Sequence, residues 1–293
     1  MFDYLVIGKG LIGSAAFRYL SAASPNTAVL GPDEPADPSQ HDGVFGAWHD
    51  EGRLARRLSH DSLWGKLGQR AYATYHQIEQ ESGIRFFTES GGITAVHPER
   101  NRDFLDATDV IGRLFDIDYE LLEQAQWLKQ FPYLNLDPSY VAVWEKKPAG
   151  FLNPRQMVRA QVRAGQLNGG TVIRETAVSV QETDDHVTVT TKEGQTIQAK
   201  RVLLATGAFS NSFDLFQRKI ALRTKPERVT LAQVDESEAQ RLAEMPTLIY
   251  YVDSPAVGDL YMVRPLQYPD GNYYLKMGGT TLDDRLVSRC GNH

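Results

Sequence analysis

Apolar positions along the chain change their spacing in a way that marks out elements. Tyr4, Leu5, Val6 and Ile7 form a continuous apolar run, the pattern of a parallel strand buried on both faces. Ala15, Ala16, Tyr19 and Leu20 then recur at helical spacing, and residues 27–30 (TAVL) predict the second strand of a βαβ unit. Residues 31–52, rich in Pro, Asp and Gly, predict a long loop, and loops of that length in a compact domain are usually functional. Leu54, Leu58, Leu63, Leu67, Ala71, Tyr75 and Ile78 give the apolar stripe of a helix over 53–82, with Arg53, Arg56 and Arg57 on a solvated face or, as the alternative, meeting phosphate or carboxylate.

Residues 85–96 predict two short strands around a Ser-Gly-Gly turn, and 141–144 predict another. Residues 150–154 (GFLNP) lead into a helix over 155–167. Strands follow at 172–173, 178–180, 187–191 and 196–198, broken by acidic turns, and RVLLA at 201–205 reads as a buried strand. Beyond a charged, proline-bearing stretch, 248–252, 260–263 and 273–277 predict antiparallel strands. Parallel-type runs at both 4–7 and 201–205, with alternating strands between and after them, predict an α/β lobe interleaved with a sheet-rich lobe.

The first strand and helix are joined by Gly8, Gly10 and Gly13, at G-x-G-x-x-G spacing. In a dinucleotide site the first glycine makes the tight turn and the second lets the backbone approach a pyrophosphate. The third lets helix and strand pack closely. Phosphates would rest on free N–H groups at the helix start, which makes Gly8, Gly10, Leu11, Ile12 and Gly13 candidate cofactor-binding residues. The second strand of such a unit usually ends in an acid that takes the ribose hydroxyls; here Gly31 stands at that end, with Asp33 and Glu34 just beyond it. Either carboxylate could reach the ribose, with Asp33 the named candidate, or a water could stand in; the alternative is that both are solvated loop charges.

Composition removes several classes. Against 31 basic residues stand 37 acidic ones, a net charge of -6, so no basic footprint for nucleic acid or anionic lipid exists. The single cysteine, Cys290, excludes an internal disulfide framework and a cysteine-cluster metal site, and no metal centre is expected. No apolar run approaches the length of a membrane span. The first apolar run is short and has no basic leader, so no signal peptide is expected and the location is cytoplasmic.

With the glycine loop, the strand end Ala205, Thr206 and Gly207, extended as GAFSN, resembles the D-amino-acid oxidase and sarcosine oxidase superfamily (the DAO family) of FAD-dependent amine oxidoreductases. The resemblance implies a Rossmann-like FAD-binding lobe interleaved with a sheet-rich α+β substrate lobe. It assigns 1–84 and 149–213 to the FAD-binding domain, and 85–148 and 214–293 to the substrate domain. The loop Ser39-Gln40-His41-Asp42 is similar to the family's Ser-x-His segment beneath the flavin, which makes Ser39, Gln40 and His41 cofactor neighbours. ETAV at 175–178 resembles the strand whose last valine holds the adenine through its backbone, here Val178. YYLKMG at 273–278 resembles the sarcosine-oxidase strand whose lysine lies over the flavin and helps activate oxygen, here Lys276.

The implied reaction oxidises the C–N bond of a secondary amine or amino acid by hydride transfer to flavin N5, with molecular oxygen as acceptor. Lys276 and His41 are the candidate catalytic residues; His49, Arg53 and Arg264 are further candidates for substrate contact. Tyr250, Tyr251 and Tyr261 are expected to pack the second lobe's sheet. Three features depart from the family pattern. Gly31 replaces the ribose acid, and Phe45-Gly46-Ala47 stands where sarcosine oxidases place the arginine that holds a substrate carboxylate. The chain also stops at His293, before the family's C-terminal glycine-rich segment, so a C-terminally truncated member is expected, with Cys290 a tail residue. Two alternatives stay open: a truncated or non-catalytic flavoprotein fragment, and an FAD oxidoreductase acting on another substrate class.

Overall fold

The structure, a computed structural model, describes residues 1–37, 45–225 and 227–282. In chain order the first elements are β1 (Phe2–Ile7), α1 (Leu11–Ala23), β2 (Thr27–Leu30), β3 (Arg53–Ala55), α2 (Ser62–Ser82), β4 (Phe87–Glu89) and β5 (Gly92–Val96). Next come α3 (Arg102–Leu114), β6 (Tyr119–Leu122), α4 (Gln124–Gln130), β7 (Val141–Glu145), β8 (Gly150–Leu152) and α5 (Pro154–Leu167). Then follow β9 (Thr171–Ile173), β10 (Ala177–Glu182), β11 (Val187–Thr191), β12 (Thr196–Leu204) and β13 (Val229–Val234). The last are α6 (Glu236–Arg241), β14 (Thr247–Tyr251), β15 (Val257–Gln267) and β16 (Tyr273–Thr281).

These strands form three sheets, and the fold is mixed α/β. The first has the order β10-β11-β12-β1-β2-β9. Its β12, β1, β2 and β9 run parallel, while β10 and β11 continue from β12 as an antiparallel meander. Successive residues of β1 point to opposite faces, so both faces must be covered. Val6 and Val29 pack under Phe17 of α1, while Leu5, Ile7, Ala28 and Leu30 meet Val189, Ile197 and Ala199 of the meander. The continuous apolar run is thereby explained. Helix α5 lies close on α1 because Gly165 and Gly170 sit against the Phe17 ring, and Gln161 accepts a 2.7 Å hydrogen bond from Arg18.

The second sheet has the order β13-β16-β15-β14-β5-β7-β6. Its core sets Ile93, Ala95, Ala142 and Leu248 against Trp127, Phe131, Leu242 and Met245. Tyr250 stacks on Tyr140 at 4.9 Å and Tyr251 meets Phe104 at 5.1 Å, so these tyrosines pack the sheet as expected. A third small sheet, β3-β8-β4, holds the segment that follows the long loop.

Two sequence expectations, the helix over 53–82 and the buried run at 201–205, are corrected. Residues 53–82 are not one helix: Arg53, Leu54 and Ala55 pair with Leu152, Phe151 and Gly150, and α2 starts only at Ser62, where Asp61 caps the Trp64 N–H at 2.9 Å. Leu63 and Leu67 are consequently exposed, and Arg57 takes the alternative given for it, meeting a carboxylate: it ion-pairs with buried Glu145 at 3.5 Å. The two short strands expected within 85–96 form, at 87–89 and 92–96, but in different sheets: the first joins β8, the second β7 and β14. Residues 196–198 and 201–204 belong to one long strand, with Ala205 just past its end, and its second half is not a buried run. Leu203 is 43 % exposed, because β12 stands where the sheet passes from helix-covered parallel strands into the meander. The charged stretch after residue 211 holds β13 and α6, which its composition did not announce.

Candidate functional site

The glycine loop is a backbone structure. Gly8 turns at φ 103°, a conformation reserved in practice for glycine, and a Cβ on it would run into the Ala205 carbonyl. A Cβ on Gly13 would overlap the Gly8 carbonyl oxygen. Gly10 differs, because the nearest atoms to a Cβ there are the edge of the Trp48 indole, at 3.3 and 3.6 Å. The first and third glycines thus serve chain packing, while the second faces outward. Gly8 donates to Leu30 at 2.8 Å, and the Ala205 N–H donates to Ile7 at 2.7 Å, so the strand end Ala205, Thr206 and Gly207 lies beside the loop. Thr206 and Ser210 share a 2.9 Å hydroxyl contact that secures the turn.

Helix α1 starts on this cradle with no side-chain cap and no acidic residue in its first turn, and Ile12 there is 74 % exposed. Helices α2 and α5, by contrast, are capped by Asp61 and Asn153. An uncapped helix start leaves backbone donors and partial positive charge for an anion. The cradle that a Cβ on Gly10 would fill and the uncapped first turn of α1 fit a dinucleotide pyrophosphate.

At the end of β2 the chain departs from the usual design. A Cβ on Gly31 would come within 2.9 Å of the Lys9 backbone nitrogen and Cβ, so Lys9 occupies the ground beside it. Buried Lys9 ion-pairs with Asp33, which also accepts from Arg174 at 2.9 Å. Burial pushes the Asp33 carboxyl up, but Lys9 and Arg174 outweigh it and hold it below the ordinary carboxylate range. Glu34 accepts instead from Arg155, which reaches Glu51 with its other arm at 2.8 Å. Asp33 is therefore the carboxylate that stands at the surface, while Glu34 is enclosed in an internal pair. Val178 sits at a bulge in β10, and its carbonyl accepts from the Asp214 N–H at 3.1 Å. Ser39, Gln40, His41 and Cys290 lie outside the described residues.

Lys276 is not an exposed strand lysine. It is 1 % exposed, and its ammonium donates to the Asp50 carboxylate and, at 2.8 Å, to the Gly52 carbonyl. The face of the Tyr261 ring lies 5.5 Å away. Asp50 also accepts from the Tyr268 hydroxyl at 3.0 Å and from Arg53 at 3.3 Å. Burial pushes the Asp50 carboxyl up, but the charge and hydrogen bond of Lys276, with help from Tyr268 and Arg53, leave it below the ordinary range. Burial pushes the Lys276 amine below the ordinary lysine value, with Asp50 opposing. The same burial, with the neighbouring carboxylate, drives the Tyr268 phenol up.

Of the other substrate-contact candidates, Arg53 joins this cluster, and His49 packs edge-on against Trp48 at 4.3 Å. Arg264 stands apart, its guanidinium 5.0 Å from the Phe151 ring, on a cavity of about 390 Å³ lined also by Glu51, Phe86 and Asn153. Sequence reasoning missed Asp50, Tyr268, Trp48 and Lys9. Only Lys9 carried a local signal, a long cation between the first two glycines.

A family model described as FAD dependent oxidoreductase matches residues 3–289. Monomeric sarcosine oxidase of Arthrobacter sp. (strain TE1826) is 26% identical over 261 residues, 85% of this chain and 64% of that protein. N-methyl-L-tryptophan oxidase of Yersinia pestis (strain Pestoides F) is 27% identical over 268 residues, 88% of this chain and 68% of that protein. The chain thus spans 64% of the length of the sarcosine oxidase it matches. The open form of NikD, an amino acid oxidase essential for nikkomycin biosynthesis, has the same fold. It superposes with a TM-score of 0.76 at 20% identity over 98% of this chain and 71% of that one.

Proposed function

The chain belongs to the FAD-dependent oxidoreductase family, and on that footing we propose that it oxidises the C–N bond of a secondary amine or amino acid. The cradle at Gly10, with α1 starting uncapped upon it and Ala205 alongside, is the observation that carries the reading. Gly8, Gly10, Leu11, Ile12 and Gly13 would hold the pyrophosphate, Asp33 the adenosine ribose, and Val178 the adenine. FAD, when bound, would take a hydride equivalent at N5 from the carbon beside the amine nitrogen and pass two electrons to oxygen, giving an imine and hydrogen peroxide. Lys276 would contribute an N–H donor and positive charge where negative charge develops on oxygen. An amine that binds unprotonated needs no general base. Segments 1–84 and 149–213 would form the FAD-binding domain, supported by the six-stranded sheet they largely supply; 85–148 and 214–293 would form the substrate domain around the seven-stranded sheet. We place the reaction in the cytoplasm, supported by the single cysteine in 293 residues. Among the described residues no helix is long and apolar enough to cross a membrane.

The test is the visible spectrum of the protein after incubation with FAD and gel filtration, followed by a screen of secondary amines and amino acids. A retained flavin band that bleaches anaerobically with one of them, with peroxide appearing on aeration, is the expected outcome. A retained band that none of them bleaches overturns the substrate class. Lys276→Met should slow reoxidation of the bound flavin by oxygen far more than its reduction by substrate. Equal slowing of both half-reactions would remove Lys276 from the oxygen step.

A further inference from the structure

Asp50 stands on the loop that enters β3, Lys276 in the middle of β16, and Tyr268 just past the end of β15. In the sheet Lys276 is in register with Val263 on one side and Leu231 on the other, so its side chain shares their face. That face meets the loop at Gly52, where a Cβ would come within 2.8 Å of Leu266 and 2.9 Å of Val263. The loop therefore lies directly on the sheet, and the lysine reaches it without a water between. Asp50 Oδ1 accepts from Tyr268 and, at 2.9 Å, from the Glu51 N–H; Oδ2 takes Lys276 and Arg53. The charged and titratable groups facing the lysine are thus Asp50 and Arg53 from the loop and β3, Tyr261 from β15, and Tyr268 from the turn after it.

We propose that Asp50 is the positioning residue of Lys276: fixed by Tyr268 and the Glu51 backbone, the carboxylate holds the buried amine as an ammonium and sets the direction of the one N–H that has no partner among the described residues. An ammonium has three donors. Asp50 and the Gly52 carbonyl take two, on the loop side, and the tetrahedral nitrogen aims the third away from both. A buried lysine with no carboxylate beside it is driven toward the neutral amine, which carries no charge to give. Asp50 offsets part of the positive charge of Lys276 and Arg53 together, so the direction of that single N–H decides what Lys276 offers at hydrogen-bond distance. The consequence for oxygen rests on the role given to Lys276 under the proposed function; the hold of Asp50 on the lysine does not.

The unaltered protein is tested first, by following lysine side-chain nitrogen resonances in labelled protein, with Lys276 assigned by its loss in Lys276→Met. Its ammonium protons should exchange with water at least about tenfold more slowly than those of surface lysines, because two of them are engaged. Exchange as fast as at the surface overturns the proposal. In Asp50→Asn the same nitrogen should lose its proton about one pH unit lower or more, a tenfold change, and Asp50→Glu should restore most of the difference. An Asp50→Asn protein whose Lys276 titrates as in the parent also overturns it. In FAD-loaded protein reduced with dithionite, reoxidation by oxygen should become steeply pH-dependent in Asp50→Asn, falling as pH rises, and return to the parent profile in Asp50→Glu. If reoxidation ignores Lys276→Met while the nitrogen titration still shifts in Asp50→Asn, the oxygen role of Lys276 fails and the positioning by Asp50 stands.

Discussion

Gly8, Gly10 and Gly13 make their site by withholding side chains, whereas Asp50, Lys276 and Tyr268 make theirs by bringing side chains together over 226 positions of sequence. The cradle consists of backbone within one strand-to-helix turn, with Ala205 as its distant neighbour. The junction exists only when β3 and the seven-stranded sheet are both in place. A backbone site carries no titratable group of its own and, at Gly8 and Gly13, has no room for an added atom. A side-chain site tolerates isosteric change but answers to pH and to the loss of any one partner. Each kind fails in its own way, and substitutions can separate the two.

The largest effect should come from within the cradle. Gly13→Ala puts a methyl on the Gly8 carbonyl, where neither backbone can move, and should cost more than about 4 kcal/mol, enough to leave little folded protein in a thermal melt. Gly10→Glu should leave the fold intact and abolish FAD retention on gel filtration, since only the Trp48 edge lies nearby. Equal melting temperatures for the two variants would erase the distinction between packing glycine and binding glycine.

At the junction, Asp50→Asn leaves a buried ammonium uncompensated and should cost about 3–5 kcal/mol in denaturant unfolding at neutral pH. The sign of its pH dependence follows from a carboxyl held below its ordinary value in the folded state. Stability from such a group is fully present above its unfolded pKa of about 3.9 and is lost as pH falls through the folded value. The gap between parent and Asp50→Asn should therefore be widest at neutral pH and narrow below about pH 4. A gap that widens in acid would contradict the pairing. Tyr268→Phe, which removes one donor and leaves the Glu51 N–H in place, should cost only about 1.5 kcal/mol.

The same contrast explains what could be read from the chain. β1, α1 and the glycine loop were legible because turn, strand and helix are specified within some twenty consecutive residues, each signal supporting the next. The short strand at 53–55 was not, because its partner β8 lies far along the chain, and Leu54 fell by chance onto a helical spacing with Leu58. The Lys276 position was visible through resemblance, but its partner was not. An Asp before Glu-Gly in a loop has no periodicity, and only the register of β16 against β15 turns the lysine toward it. Asp33 and Glu34 looked equivalent in sequence; Arg155, on the first turn of α5, separates them.

The parallel pairing of β1 with β12 also has a consequence in time. Phe2 is in register with Ala199, and Ile7 with Leu204. At about 5–20 residues added per second, a ribosome needs roughly 10–40 s between making the first of these strands and making its neighbour. Through that interval Leu5, Val6 and Ile7 can be covered on one side by α1 and β2, but their second edge has no strand to pair with. The birth of this protein is thus a waiting problem: β1 is an open template until Leu204 has been made, and whatever shields that edge meanwhile decides how much of it folds.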